Sequence, residues 1–272
     1  MVFSRTVFQE IHDDVRHSAP LVHCLTNSVV QEITANVLLA AGAAPAMVSH
    51  PEEAGEFAAA ADAVLINVGN PDPPVLEAMR SAVAQARRRN IPWVLDPVAV
   101  GGLGVRTRFA VELLDQKPTV IRGNASEVRN LHVAHEGSDA QGGRGVDSTD
   151  DPESALEAGR ALAALTGGVV AISGPTDIIV SGGRVTRITG GDELMALVIG
   201  TGCSLGAVTA AYCVAAGNPY DGAAAAHVAF SGAGALAAKV SAGPGSFRNA
   251  WIDALYNGSN ALPALCEIEE GE

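Results

Sequence analysis

The chain has 272 residues and a formal net charge of −13, long enough to bury a large core and too acidic for a general nucleic-acid binder, which needs a basic footprint. Hydrophobic residues make up 48% and charged residues 17%, a globular composition in which packing falls to alanine and glycine, since aromatics reach only 4%. The four cysteines (Cys24, Cys203, Cys213, Cys266) show no CxxC or zinc spacing. With no apolar leader in MVFSRTVFQEIHDDVRH, a reduced, cytoplasmic setting is expected.

In chain order, short apolar runs alternate with helical patterns. Strands are predicted over Leu21–Leu25, Ala46–Val48, Ala63–Val68, Trp93–Asp96, Thr119–Ile121 and Val169–Ile172. Helices are predicted over Val29–Ala41, Pro51–Ala60, Pro73–Arg89, Arg108–Leu114, Ala125–Leu131 and Pro152–Leu165. Most of the strands are apolar on both faces, as in the middle of a parallel sheet. The alternation predicts an α/β three-layer sandwich, one domain over residues 1–272, with right-handed crossovers. His132–Asp150, rich in Gly, Ser and Asp, reads as a mobile surface loop. Asp177–Thr189 reads as a hairpin turning at Gly182-Gly183. The last third is nearly all helical. The apolar stretch from Cys203 to Ala242 is interrupted by Gly217-Asn218-Pro219, so it reads as buried helices and not as a membrane span.

Ligands of such sheets sit at the carboxyl ends of the strands, and polar residues gather there. Thr26-Asn27 follows the first strand, Asn67-Val68-Gly69-Asn70 the third and Arg122-Gly123-Asn124 the fifth. Asp96 ends the fourth, and Ser173-Gly174 follows the sixth. In Gly200-Thr201-Gly202-Cys203 a glycine turn opens a helix, whose free amides and dipole make an anion site. A thiol at that point is expected to have a lowered pKa; the alternative is a small buried hydrophobe. Asn124 with Glu127 three residues on is a capping-box pattern. Alternatively, Asn124 and Glu127, joined by Asp96, orient a hydrated magnesium ion, with Arg122 as a phosphate partner. Asn27 either caps the next helix or reaches a small polar ligand. Met47 is either core or the wall of an apolar substrate pocket.

The segments LVHCLTNSVVQEITANVLLAAGAAPAMV, WVLDPVAVGG, VIRGNASEV and VIGTGCSLGAVTAAY resemble, in the same order, the hydroxyethylthiazole kinase family over about Pro20 to Asn260. The resemblance implies a ribokinase-like fold and ATP- and magnesium-dependent phosphorylation of the primary hydroxyl of 4-methyl-5-(2-hydroxyethyl)thiazole. By position it implies that Met47, Gly200 and Asn27 meet the thiazole, and that Arg122 and Ser173, with Thr201 and Gly202 of the cradle, meet ATP. It further implies that Asp96 and Glu127 hold magnesium. Related kinases carry aspartate as catalytic base where this chain has Cys203. The resemblance also implies a homotrimer with active sites at subunit interfaces. Two departures fall on the ATP side: the long acidic Val133–Asp150 segment, and Pro175 after Ser173. The competing readings are a kinase for another small alcohol, such as a hydroxymethylpyrimidine, and a non-catalytic sensor on the same fold.

Overall fold

A computed structural model describes residues 3–137, 151–258 and 261–271. At its centre is a nine-stranded sheet with the spatial order β2-β1-β3-β4-β5-β6-β7-β8-β9. The strands are β1 (Leu21–Leu25), β2 (Ala44–Ala46), β3 (Ala63–Asn67), β4 (Trp93–Asp96), β5 (Val120–Asn124), β6 (Val169–Ser173), β7 (Thr176–Ser181), β8 (Arg184–Thr189) and β9 (Glu267–Gly271). β1 to β6 pair in parallel; β7, β8 and β9 add on antiparallel.

The helices are α1 (Arg5–Ser18), α2 (Gln31–Ala41), α3 (Pro51–Ala60), α4 (Pro73–Arg89), α5 (Gly104–Leu114), α6 (Ala125–His135), α7 (Leu156–Thr166), α8 (Thr201–Ala216), α9 (Pro219–Ala238) and α10 (Pro244–Asn257). α4 shows why these residues form helices. Asp72 accepts from the Val75 amide, Pro73 occupies the first turn, and Asn90 ends the helix in the left-handed region. Each of these is the preferred residue type for its position.

The sheet separates two cores, and strand alternation decides which residue enters which. Val64, Ile66, Trp93, Leu95 and Ile121 enter the core shared with Met79, Phe109 and Leu131. Ala63, Leu65, Val94, Val120 and Ala171 enter the opposite core, with Phe8, Tyr212, Phe230 and Trp251. α8 and α9 are buried almost all round, and their small residues permit close approach. A Cβ on Gly222 would stand 2.7 Å from the Cys213 Cα, and one on Gly206 would stand 3.0 Å from Leu65 Cδ1. No helix among the described residues is long and apolar enough to cross a membrane.

Several predicted boundaries shift. β2 lies at Ala44–Ala46, not Ala46–Val48, because its pairs with β1 start at Leu21↔Ala44. Pro45 is tolerated there since β2 is an edge strand. β5 and β6 continue through Asn124 and Ser173, held by the pairs Arg122↔Ala171 and Asn124↔Ser173. Arg122 and Ser173 are therefore strand residues, not residues of the loops beyond. α6 runs to His135, so the predicted loop from His132 begins in a helix; residues 138–150 lie outside the described residues. α5 begins at Gly104, ahead of the predicted Arg108. α1 and β9 are elements that the sequence reading did not assign.

Candidate active site

Strand parity builds the site. Asn67, Asp96, Arg122 and Ser173 each stand two residues beyond a core residue of the α8 side: Leu65, Val94, Val120 and Ala171. Because side chains alternate with period two, all four project at the carboxyl rim toward α8. Gly200 supplies the matching turn. Its φ is +97°, and a Cβ there would fall 2.4 Å from Ile33 Cγ2, so both backbone conformation and close approach demand glycine. It is the N-cap of α8, and no side chain caps it. The first-turn amides of Gly202 and Cys203 thus face the rim without an intrahelical partner.

A hydrogen-bonded line crosses this rim. Asn27 Nδ2 donates to Cys203 Sγ at 3.6 Å and to Asn67 Oδ1 at 3.2 Å. Asn67 Nδ2 donates to Asp96 Oδ2 at 2.7 Å. Asn27 Oδ1 accepts from the Val29 amide and Asn67 Oδ1 also from the Gly69 amide, so both side chains are fixed in place. Arg122 Nη1 lies 4.0 Å from Asp96 Oδ2, and Nη2 donates to Ser173 Oγ. The structure thereby joins Asn27, Asp96, Arg122, Ser173, Gly200, Gly202 and Cys203. Met47, half-buried, follows β2 at the end of the same rim. Thr201 is placed differently from a free nucleotide contact: its hydroxyl donates back to Met195 O at 2.9 Å and Val198 O at 3.1 Å. Its backbone amide also donates to the preceding turn, to Val198 O at 3.4 Å. Asn67 is the hub of the line, and the sequence reading gave it no role; its pairing with Asp96 across β3 and β4 is the feature that would have exposed it.

Of the two readings of Asn124 and Glu127, one is present in the hydrogen bonds, and one other expectation needs correction. The capping box is real: Asn124 Oδ1 accepts from the Glu127 amide at 2.9 Å, and Glu127 Oε2 from the Asn124 amide at 2.9 Å. Glu127 Oε1 accepts from the Ala99 amide at 3.0 Å. Glu127 therefore ties α6 to the turn after β4, and each oxygen has only part of its accepting capacity left. The correction concerns Cys203. Burial, with the Asp96 carboxylate next in weight, pushes its thiol up to about 11, not down. Loss of water on burial disfavours the thiolate, and the hydrogen bonds of Asn67 and Asn27 and the charge of Arg122 oppose it only in part.

A divalent cation fits the acidic corner. Asp96 is fully buried, and its Oδ1 has no hydrogen-bond partner. Burial raises its pKa, and the neighbouring Glu127 raises it further against Arg122 and Asn67. Glu127 is raised by burial as well. Two buried carboxylates that act on one another, one of them with an orphaned oxygen, suit a cation that keeps much of its own water. Among the described residues no cluster of three or more His, Cys, Asp or Glu forms a closed metal cage.

The parallel sheet, the uncapped glycine turn and the acidic corner at one rim define the class: an α/β phosphotransferase of ribokinase-like fold. A solved ribokinase-like superfamily protein from Enterococcus faecalis V583 shares that fold, with a TM-score of 0.65, 16% identity and 95% of each chain covered. More specifically, residues 12–260 match the model of the hydroxyethylthiazole kinase family. The chain is 54% identical to a hydroxyethylthiazole kinase of Corynebacterium glutamicum (strain R), over 94% of this chain and 96% of the relative. The solved hydroxyethylthiazole kinase of Pyrococcus horikoshii OT3 superposes with a TM-score of 0.89 at 34% identity, covering 98% of this chain and 100% of that one. The chain belongs to the hydroxyethylthiazole kinase family.

Proposed function

We propose that the enzyme transfers the γ-phosphoryl group of ATP to the primary hydroxyl of 4-methyl-5-(2-hydroxyethyl)thiazole, with the rim divided into an acceptor side and a nucleotide side. The observation that carries this reading is the line Cys203–Asn27–Asn67–Asp96 beneath the uncapped start of α8. It brings a group for the alcohol and a group for a cation to the same anion cradle.

On the acceptor side, Met47 and Gly200 form the thiazole wall and Cys203 orients the hydroxyl. A thiol at about 11 is neutral at ordinary pH, so its first role is to hold the alcohol in line. Phosphoryl transfer is loose and asks for late proton removal only. Asn27 holds the thiol more than it meets the substrate, since its amide is already shared between Cys203 and Asn67. On the nucleotide side, Arg122 and Ser173 meet the phosphates, and the Gly202 and Cys203 amides donate to the γ-phosphoryl oxygens. Asp96 and Glu127 would hold magnesium, and a cation held there would supply neutralisation of the phosphate charge.

Residues 1–272 act as one catalytic domain. Among the described residues all four cysteines are free thiols, which supports work in a reducing cytoplasm. A subunit contact, as the homotrimer implied by the resemblance requires, is supported by an exposed apolar surface beside the site. Val29, Leu197 and Ile199 are exposed around a cavity of about 400 Å³ that also touches Ile33, the residue against which Gly200 packs. A partner subunit would cover it, and light scattering on the purified protein tests this against a monomer.

The reaction is tested by incubating the enzyme with magnesium-ATP and either hydroxyethylthiazole or hydroxymethylpyrimidine, reading the products by mass. A thiazole phosphate that vanishes with chelator is expected. Phosphate on the pyrimidine alone would reassign the acceptor side; no product from a folded, ATP-binding sample would point to a sensor.

A further inference from the structure

Another buried carboxylate lies outside the line just described. Asp177, in β7, accepts from the Gly174 amide through Oδ1 at 3.0 Å. Its Oδ2 accepts from His227 Nδ1 at 2.8 Å and from Ser231 Oγ at 3.4 Å. His227 and Ser231 stand one turn apart on α9, and both are buried. Gly174 is boxed in from the other side, because a Cβ there would fall 2.3 Å from Pro152 Cγ. The residue before it is Ser173, whose hydroxyl meets Arg122. A connected path therefore runs from the deep helix α9, through Asp177, to the turn that ends β6.

We infer that Asp177 is a positioning residue for the nucleotide, anchored by His227 and Ser231 and acting through the Gly174 amide on the Ser173–Arg122 pair. The physical argument is preorganisation. Ser173 leads into a tight turn, where a freed Gly174 backbone would have many conformations to lose. With its amide fixed to a buried carboxylate, the ordering cost is met in folding and not when ATP binds. The arrangement also accounts for Pro175: the turn is held by the residues on either side of it and needs no amide at that position. A purely structural reading would make the His227–Asp177 pair a rivet between α9 and the sheet. The two readings differ in which constant moves.

This inference rests on the reading of Arg122 and Ser173 as nucleotide contacts, so the experiment includes them. Asp177→Ala is expected to raise KM for ATP about tenfold, leaving KM for the thiazole and kcat at saturating ATP within about twofold. Asp177→Asn should restore most of the loss, since its Oδ1 still accepts from Gly174 and its amide pairs with the other imidazole tautomer. Calorimetric titration with ATP alone should show the same order. If Asp177→Ala does not fold, His227→Gln and Ser231→Ala carry the test, with a KM rise for ATP of about threefold in the first and less in the second. An unchanged KM for ATP, or a rise shared equally by both substrates and tracking the melting temperature, overturns the inference. When Arg122→Ala and Ser173→Ala weaken ATP binding and Asp177→Ala does not, the inference alone falls. When neither of those two weakens it, the nucleotide reading falls and takes the inference with it.

Discussion

α8 has polar groups buried near both ends, and the two ends are finished differently. Near its C-terminus, Tyr212 Oη lies 2.6 Å from His12 Nδ1. Arg16 Nε donates to His12 Nε2 at 3.2 Å, and Arg16 Nη2 donates to Leu255 O at 2.6 Å. This network ties α1 to α8 and α10 with its ring nitrogens and phenol satisfied. At its N-terminus, Asp96 Oδ1 and Arg122 Nε are buried without partners, and the helix start itself is uncapped. A folded chain seldom leaves such groups bare. The difference separates a lock, complete in itself, from the rim proposed above as the ligand site.

The sharpest way to break this comparison is Asp96→Asn. If Asp96 is a cation seat, the variant loses activity by a factor on the order of 10² to 10³, the scale of losing one main electrostatic partner of the transition state. It should melt no lower than the parent, because the ionised carboxylate is disfavoured by burial and gives way to a neutral amide. Glu127→Gln should behave in the opposite sense. It leaves one oxygen for the two amides of Asn124 and Ala99 and sets an NH2 against the other, so about 1–3 kcal/mol of stability is lost while activity falls less than in Asp96→Asn. Melting curves and steady-state rates on the same samples check both. A stable and fully active Asp96→Asn would remove the cation seat from the rim.

Cys203 gives the next largest effect. Cys203→Ser is expected to lower kcat about tenfold, since the smaller hydroxyl sits farther from a substrate placed for sulfur and is no better a base. Cys203→Asp should keep activity, as a carboxylate there can also orient the hydroxyl and take its proton late. The pH profile separates the two roles of the thiol. With the thiol pushed up to about 11, an enzyme that needed thiolate would gain about tenfold in rate per pH unit from 7 to 10. An orienting thiol predicts no thiol-dependent rise across that range. The profile of Cys203→Asp serves as the reference, because it has no thiol to ionise.

Much of this rim is legible in the residues themselves. Apolar runs that end in Asn27, Asp96 or Ser173 announce both the parallel strands and where they stop serving the core. What stayed hidden is whatever depends on a partner distant in sequence. Asn67 looks like any polar residue after a strand until β3 and β4 pair and set it against Asp96. The thiol looks activated by its helix until burial and Asp96 are counted. The hydroxyl of Thr201 looks free until the preceding turn accepts it. β9 has the acidic sequence EIEEG, which is a poor advertisement for a strand, yet charge suits an exposed edge beside β8. α1 is partly legible in hindsight. Phe8, Ile11, His12 and Val15 are its buried residues, a helical spacing with a histidine in an apolar place.

That histidine offers the smallest effect on catalysis and the clearest contrast with the rim. Arg16 Nε can only donate, so His12 Nε2 accepts and its Nδ1–H points to Tyr212 Oη. Tyr212→Phe leaves that buried N–H without a partner, and stability should fall by about 1–3 kcal/mol with kcat unchanged. Burial, reinforced by Arg16, lowers His12 from 6.5 to about 4. Between those values the unfolded chain takes up a proton that the native chain refuses, so stability is lost as pH falls from about 6.5 toward 4. Melting temperatures over that interval should therefore decline more steeply in the parent than in His12→Gln, which has nothing to titrate there. If the slopes coincide, His12 is already protonated in the native state and the network at this end of α8 is not the satisfied lock described above. If they diverge while kcat stays level, the two ends of one helix are separable: one answers to protons and stability, the other to substrate and cation.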